Sequence, residues 1–109
     1  MKPLVRLEQA DLDVEQSLDY YLSEEPQLAL GFVEALEKAY SYIQRHPGTG
    51  SPRYAHALDI EGLQFWPCSP FSQLVFYLER DNHLVLVRVL HSSRDIPASF
   101  QDQSGLSNN

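Results

Sequence analysis

One cysteine, Cys68, is present among 109 residues, so no internal disulfide can form and a reducing compartment is the natural home. Cys68 lies between Pro67 and Ser69 in a turn-like run with no base placed beside it, and reads as an incidental thiol rather than a nucleophile. Long hydrophobic runs are missing too. The longest, residues 74–78 and 84–87, fall far short of a bilayer span, and residues 1–8 lack the apolar core of a signal peptide. A cytoplasmic protein with no membrane partner is expected. The four histidines (His46, His56, His83, His91) show no ligand spacing such as i, i+4 on a helix, so no metal site is expected. No glycine-rich phosphate loop and no nucleophile elbow occurs, and no cofactor is expected.

Charge of one sign is also scarce where it would matter. The formal net charge is −7. Residues 7–37 hold nine acids (Glu8, Asp11, Asp13, Glu15, Asp19, Glu24, Glu25, Glu34, Glu37) and no lysine or arginine. Residues 38–100 hold six basic residues against five acids, and no lysine follows Lys38. A protein that grips nucleic acid through phosphates carries a basic surface. This one does not, which argues against direct sequence-specific nucleic-acid binding.

What is present suffices for one core. A hydrophobic fraction of 43% with 21% charged residues is ordinary for a single globular domain of this length. Residues 3–7 alternate weakly and predict a first strand. Residues 8–23 predict a helix whose stripe is Ala10, Val14, Leu18, Tyr21 and Leu22, with acids gathered in its first turns, where the helix dipole favours them. Pro26 suits the first turn of a second helix. There Leu28, Ala29, Phe32, Leu36, Ala39, Tyr40 and Ile43 recur every three to four residues, until Arg45, His46, Pro47 and Gly48 end it. The short gap predicts an antiparallel helical hairpin. Residues 49–57 read as a loop, and residues 58–66 hold a short strand interrupted by Gly62 and closed by Pro67. Residues 71–79 and 84–91 read as two strands around a turn at residues 80–83. The second of these is almost wholly apolar and belongs in the middle of a sheet. Pro97 is read as the end of regular structure, with one domain over residues 1–100 and a disordered tail over 101–109. The fold class is α+β: an N-terminal strand, a two-helix antiparallel hairpin covering one face, then a three-stranded antiparallel sheet.

Several motifs then point to a family. The first helix opens Ala10-Asp11-Leu12 and carries paired tyrosines, Tyr20 and Tyr21, near its end. The second exits at residues 47–50, and the last strand closes Arg88-Val89-Leu90-His91-Ser92-Ser93-Arg94-Asp95. In order and spacing the chain resembles ParE/RelE-type toxins over residues 5–96. The resemblance implies the toxin of a type II toxin–antitoxin module of the plasmid-stabilisation kind, neutralised by a cognate antitoxin whose C-terminal segment wraps around it. It implies antitoxin-binding residues on the hairpin at Tyr20, Tyr21, Phe32, Leu36 and Tyr40. ParE-like members inhibit DNA gyrase without a cleavage step. RelE-like members cleave mRNA on the ribosome with clustered basic residues and a C-terminal tyrosine.

Metal-free RNA cleavage needs a base for the 2′-hydroxyl, an acid for the leaving oxygen and cations for the phosphorane. No tyrosine follows Tyr77 and no lysine lies in the second half, so the ParE-like branch is favoured. The alternatives are a metal-independent endoribonuclease using His91 and Arg94, and a degenerate toxin that only binds an antitoxin. The target-contact residues implied are Arg88, His91, Arg94 and Asp95. Each has a structural reading beside it. Arg88, in an apolar strand, needs a salt bridge to Asp95 or to a hairpin acid, or else contacts an anion. His91 is either a hydrogen-bonded structural histidine or a base, and Arg94-Asp95 is either a local turn pair or a contact. Phe65, Trp66 and Phe71 are either core or an exposed aromatic patch. The acidic hairpin is either a solvated face or a surface that selects a basic antitoxin segment.

Overall fold

The computed structural model describes residues 1–107, with side-chain environments as far as Gln101. Strand β1 (Leu4–Arg6) leads into helix α1 (Glu8–Glu24) and helix α2 (Ala29–Arg45). Then come β2 (Gln64–Pro67), β3 (Gln73–Glu79), β4 (Leu84–His91) and helix α3 (Ile96–Ser107). Pro26 opens a short 3-10 turn that feeds α2, and Pro47 opens another just after it. Proline is tolerated in such first turns because its missing N–H would have no partner there.

The strands form one sheet in the order β1-β4-β3-β2. β4 is central, as its apolar run requires. The sheet is four-stranded and mixed rather than three-stranded and antiparallel: β2, β3 and β4 alternate in direction, but β1 runs parallel to β4. The parallel pair follows from the connection, since the helical hairpin is long enough to make the crossover that parallel strands need.

Both faces of the sheet are covered. On one, Val75, Tyr77, Leu84, Leu86 and Val89 pack against Ala10, Tyr21, Phe32, Leu36, Ala39 and Ile43 of the hairpin. Full burial contributes roughly 1.5–3 kcal/mol for a side chain such as Phe32. On the other, Phe76, Val87 and Leu90 meet Leu63, Ile96 and Phe100, with Tyr54, Leu58 and Ile60 packed around them. The segment read as a polar loop therefore contributes Tyr54 and Ala55 to the edge of the second core. Its Ser51 also pairs with Phe65 beside β2.

Pro97 does not end regular structure; it stands in the first turn of α3. Asp95 precedes that helix and accepts the Ala98 N–H at 3.1 Å, which is the arrangement of an N-cap. The helix runs on to Ser107 where a structureless tail was expected from residue 101, and residues 108–109 lie outside the described ones. Trp66 stacks on Tyr42 with centroids 4.4 Å apart, and Phe71 packs edge-on to Tyr21 and Phe32. Trp66, Phe65 and Phe71 are half-buried packing residues rather than an exposed patch.

One close approach fixes the chain between α2 and β2. The Tyr77 hydroxyl donates to the Pro47 carbonyl at 2.7 Å and accepts the Gly50 N–H at 3.0 Å. A Cβ at Gly50 would collide with that hydroxyl and stand 2.8 Å from the Gln64 Cβ. Glycine is required there for space. Burial also pushes the Tyr77 hydroxyl pKa up, an effect the Gly50 N–H partly offsets.

Candidate functional site

β1 is three residues long and ends opposite Leu86, where the Leu7 N–H still reaches the Leu86 carbonyl at 3.0 Å. Beyond that point the same edge of β4 has no strand beside it among the described residues. A bulge lies here too: Phe76 pairs with Arg88 and Tyr77 with Leu86, leaving Val87 as the extra residue. The bulge breaks the period-2 alternation, so Leu86 and Leu90 join opposite clusters.

Asp13 of α1 covers the open edge. Its Oδ2 accepts the Val89 N–H at 3.0 Å. Arg88 meets the same carboxylate in a two-pronged pair, Nε to Oδ2 at 2.7 Å and Nη2 to Oδ1 at 2.9 Å. Its Nη1 donates to the Ser99 carbonyl of α3 at 2.8 Å. Both side chains are almost wholly buried, at 5% and 2% exposure. A buried arginine is tolerable only when its donors are satisfied, and here every nitrogen has a partner. The pair ties α1, β4 and α3 together. Of the two partners weighed for Arg88, the hairpin acid is the one found, and Arg88 leaves the set of target contacts because nothing outside the fold can reach it.

Next to this pair opens a cavity of about 490 Å³, walled by α1 (Gln16, Tyr20, Tyr21) and by the ends of β3 and β4 (Gln73, His91, Arg94). His91 and Arg94 are exposed at its mouth. The His91 Nδ1 accepts the Ser93 N–H at 3.1 Å and stands 2.7 Å from the Ser93 Oγ. With Nδ1 engaged as an acceptor, the neutral ring carries its proton on Nε2 and faces outward as a donor. That is a poor posture for a base. The Ser93–His91 contact has the first half of a nucleophile–base pair, but no carboxylate orients the ring among the described residues. Among the described residues Arg94 is the one arginine or lysine lining the cavity.

At the cavity floor the Gln73 Nε2 donates to the Tyr21 hydroxyl at 3.2 Å. The buried Gln73 Oε1 has no hydrogen-bond partner among the described residues.

The hairpin residues separate by depth. Tyr21, Phe32 and Leu36 are core, so Tyr21 and Phe32 support the surface from beneath and present little to a partner. Tyr20 is exposed. Tyr40 is half-buried and lines a second groove, of about 670 Å³, with Val14, Leu18, Val33 and Leu36 on its apolar floor. Burial raises the pKa of the Tyr40 hydroxyl, with Arg6 opposing. Asp11, Glu15 and Glu37 stand along the same groove.

Two site residues escaped the sequence reading. Asp13 had a signal, since it falls three residues after Ala10 on the buried stripe of α1, where an acid needs a partner. Gln73 had one too: it is the polar member of an inward set with Val75 and Tyr77.

The family model described as the ParE toxin of the type II toxin–antitoxin system parDE matches residues 5–96. The chain belongs to the ParE toxin family. Among solved structures, the chromosomal ParDE toxin–antitoxin system from P. aeruginosa is similar, with a TM-score of 0.70 at 17% identity over 84% of this chain and 96% of that one. That likeness is one of fold. None of the curated proteins compared with the chain matches it. As a ParE-family toxin, the chain is the toxin half of a two-component module. No helix among the described residues is long and apolar enough to cross a membrane.

Proposed function

We propose that this ParE-family toxin acts by binding DNA gyrase without a cleavage step, and that a cognate antitoxin neutralises it. The observation that carries the reading is the buried Asp13–Arg88 pair. It withdraws the best-placed cation of the last strand from any phosphate and makes it a structural tie. What remains at the mouth is Arg94, with His91 holding its Nδ1 inward. Phosphodiester cleavage draws on several cations and a poised base, each supplying a few kcal/mol to the transition state. One arginine and one engaged histidine suit gripping a protein better. Arg94 and His91 form the gyrase contact, while Asp95 positions them by capping α3. The antitoxin lies over the α1–α2 groove, where Leu36 and Tyr40 give apolar anchorage and Tyr20 flanks. The acids Asp11, Glu15 and Glu37 favour a segment with basic residues beside those anchors.

A second reading, ribosome-dependent mRNA cleavage, draws on His91 and Arg94 lining one cavity. Inducing the gene separates the two. Lost plasmid supercoiling and a DNA-damage response with intact transcripts support gyrase binding. Cut transcripts support cleavage, and unimpaired growth supports a chain that only binds its antitoxin.

A further inference from the structure

The cavity between α1 and the ends of β3 and β4 has a floor that neither reading uses. Gln73 is 3% exposed, and its Oε1 opens on a cavity without a hydrogen-bond partner among the described residues. A buried acceptor left without a donor is disfavoured, so any donor that reaches it is favoured in proportion. An anion is the wrong guest, because it offers no proton to Oε1 and adds repulsion.

The walls agree with the floor. Glu25, at the C-terminal end of α1, lines the same cavity, and so does Tyr20, which is 56% exposed. Asp13 faces in as well, its charge balanced by Arg88. Arg94 is the opposing feature, but it is exposed, where solvent screens its charge. The nine acids of residues 7–37 put the α1 wall under a negative field.

We infer that this cavity captures the side chain of an arginine on a protein partner. The planar guanidinium has donors to spare for both the Gln73 Oε1 and the Glu25 carboxylate, and it stacks favourably on an aromatic face such as Tyr20. Lysine, a point charge without a planar face, fits less well. The cavity's preference does not depend on whether gyrase is the target.

The test uses the intact, purified chain labelled with ¹⁵N and titrated with acetyl-arginine amide, acetyl-citrulline amide (its neutral isostere) and inorganic phosphate. Saturable shifts of the Gln73 side-chain amide and the Tyr20 backbone are expected with the arginine probe, and binding of the citrulline probe should be at least about tenfold weaker. Gln73→Met should weaken arginine binding by a similar factor, and Gln73→Glu should strengthen it. Glu25→Gln, at a half-buried position, gives the same comparison if Gln73→Met unfolds. Phosphate binding in preference to arginine overturns the inference. So does a Gln73 amide indifferent to all three probes, or arginine shifts that Gln73→Met and Glu25→Gln leave unchanged. None of these readouts measures toxicity, so failure here is distinct from failure of the gyrase reading.

Discussion

Replacing Asp13 with alanine removes two acceptors from the buried Arg88 guanidinium and the acceptor of the Val89 N–H in one step. Only the Ser99 carbonyl then remains to Arg88 among the bonds described. Breaking a buried pair from one side costs about 3–5 kcal/mol, because an uncompensated charge is left inside. A domain of this size has about 5–15 kcal/mol in total, so Asp13→Ala should lose about a fifth of it or more and melt roughly 12–20 °C lower. Removing both charges is a different perturbation. The Asp13→Leu, Arg88→Met double variant replaces the pair with apolar groups of similar length, and buried pairs so replaced are often neutral or better. It should fall within about 2 kcal/mol of the parent, the remaining loss coming from the unpaired Val89 N–H. Urea unfolding of the parent, Asp13→Leu, Arg88→Met and the double variant closes the cycle and isolates the coupling. If Asp13→Ala lost under about 1 kcal/mol, or if the double variant fell as far as the sum of the singles, the tie would not be the one described.

Tyr77→Phe should cost about 1–3 kcal/mol in urea unfolding, since the Pro47 carbonyl and the Gly50 N–H both lose their partner. Gly50→Ala should destabilise by a similar amount through overpacking against Tyr77 and Gln64. Arg94→Ala should abolish toxicity on induction with the unfolding midpoint unchanged, because Arg94 is exposed; full toxicity in that variant removes the contact assignment. Burial pushes the Cys68 thiol up to about 11 from 9.0, so iodoacetamide at pH 8 should leave the folded protein unlabelled and modify it fully in urea. The same shift has a sign. Burial disfavours the thiolate, so this stabilising contribution is complete below pH 9.0 and is lost as pH rises through about 11. Cys68→Ser should flatten that alkaline decline in the unfolding midpoint.

The parts of the fold that were legible in the sequence are those where period and burial coincide. The apolar run of β4 could only be a central strand, and the three-to-four-residue repeat of α2 placed Phe32, Leu36, Ala39 and Ile43 together in the core. A helical apolar stripe is used first to bury itself against the sheet, which is why Tyr21 and Phe32 lie beneath the surface. The parallel β1–β4 pair was not legible, because three residues carry no signal of direction. Pro97 misled because proline ends a helix and begins one with equal ease, and the deciding residue is the Asp95 cap two places earlier. The second core escaped because residues 54–63 have no period, their apolar side chains being placed by turns. Asp13 and Gln73 showed locally only that a polar residue falls on an inward face. Their meaning depends on what faces them across 75 and 52 residues of chain, and no local pattern carries that.

Purified chain set against both targets side by side gives the most direct test: DNA gyrase supercoiling relaxed plasmid, and ribosomes programmed with a defined message. Dose-dependent loss of supercoiling, relieved by Arg94→Ala, with the message intact is the result expected of a toxin that grips a protein. Cleaved message with gyrase unaffected would contradict it.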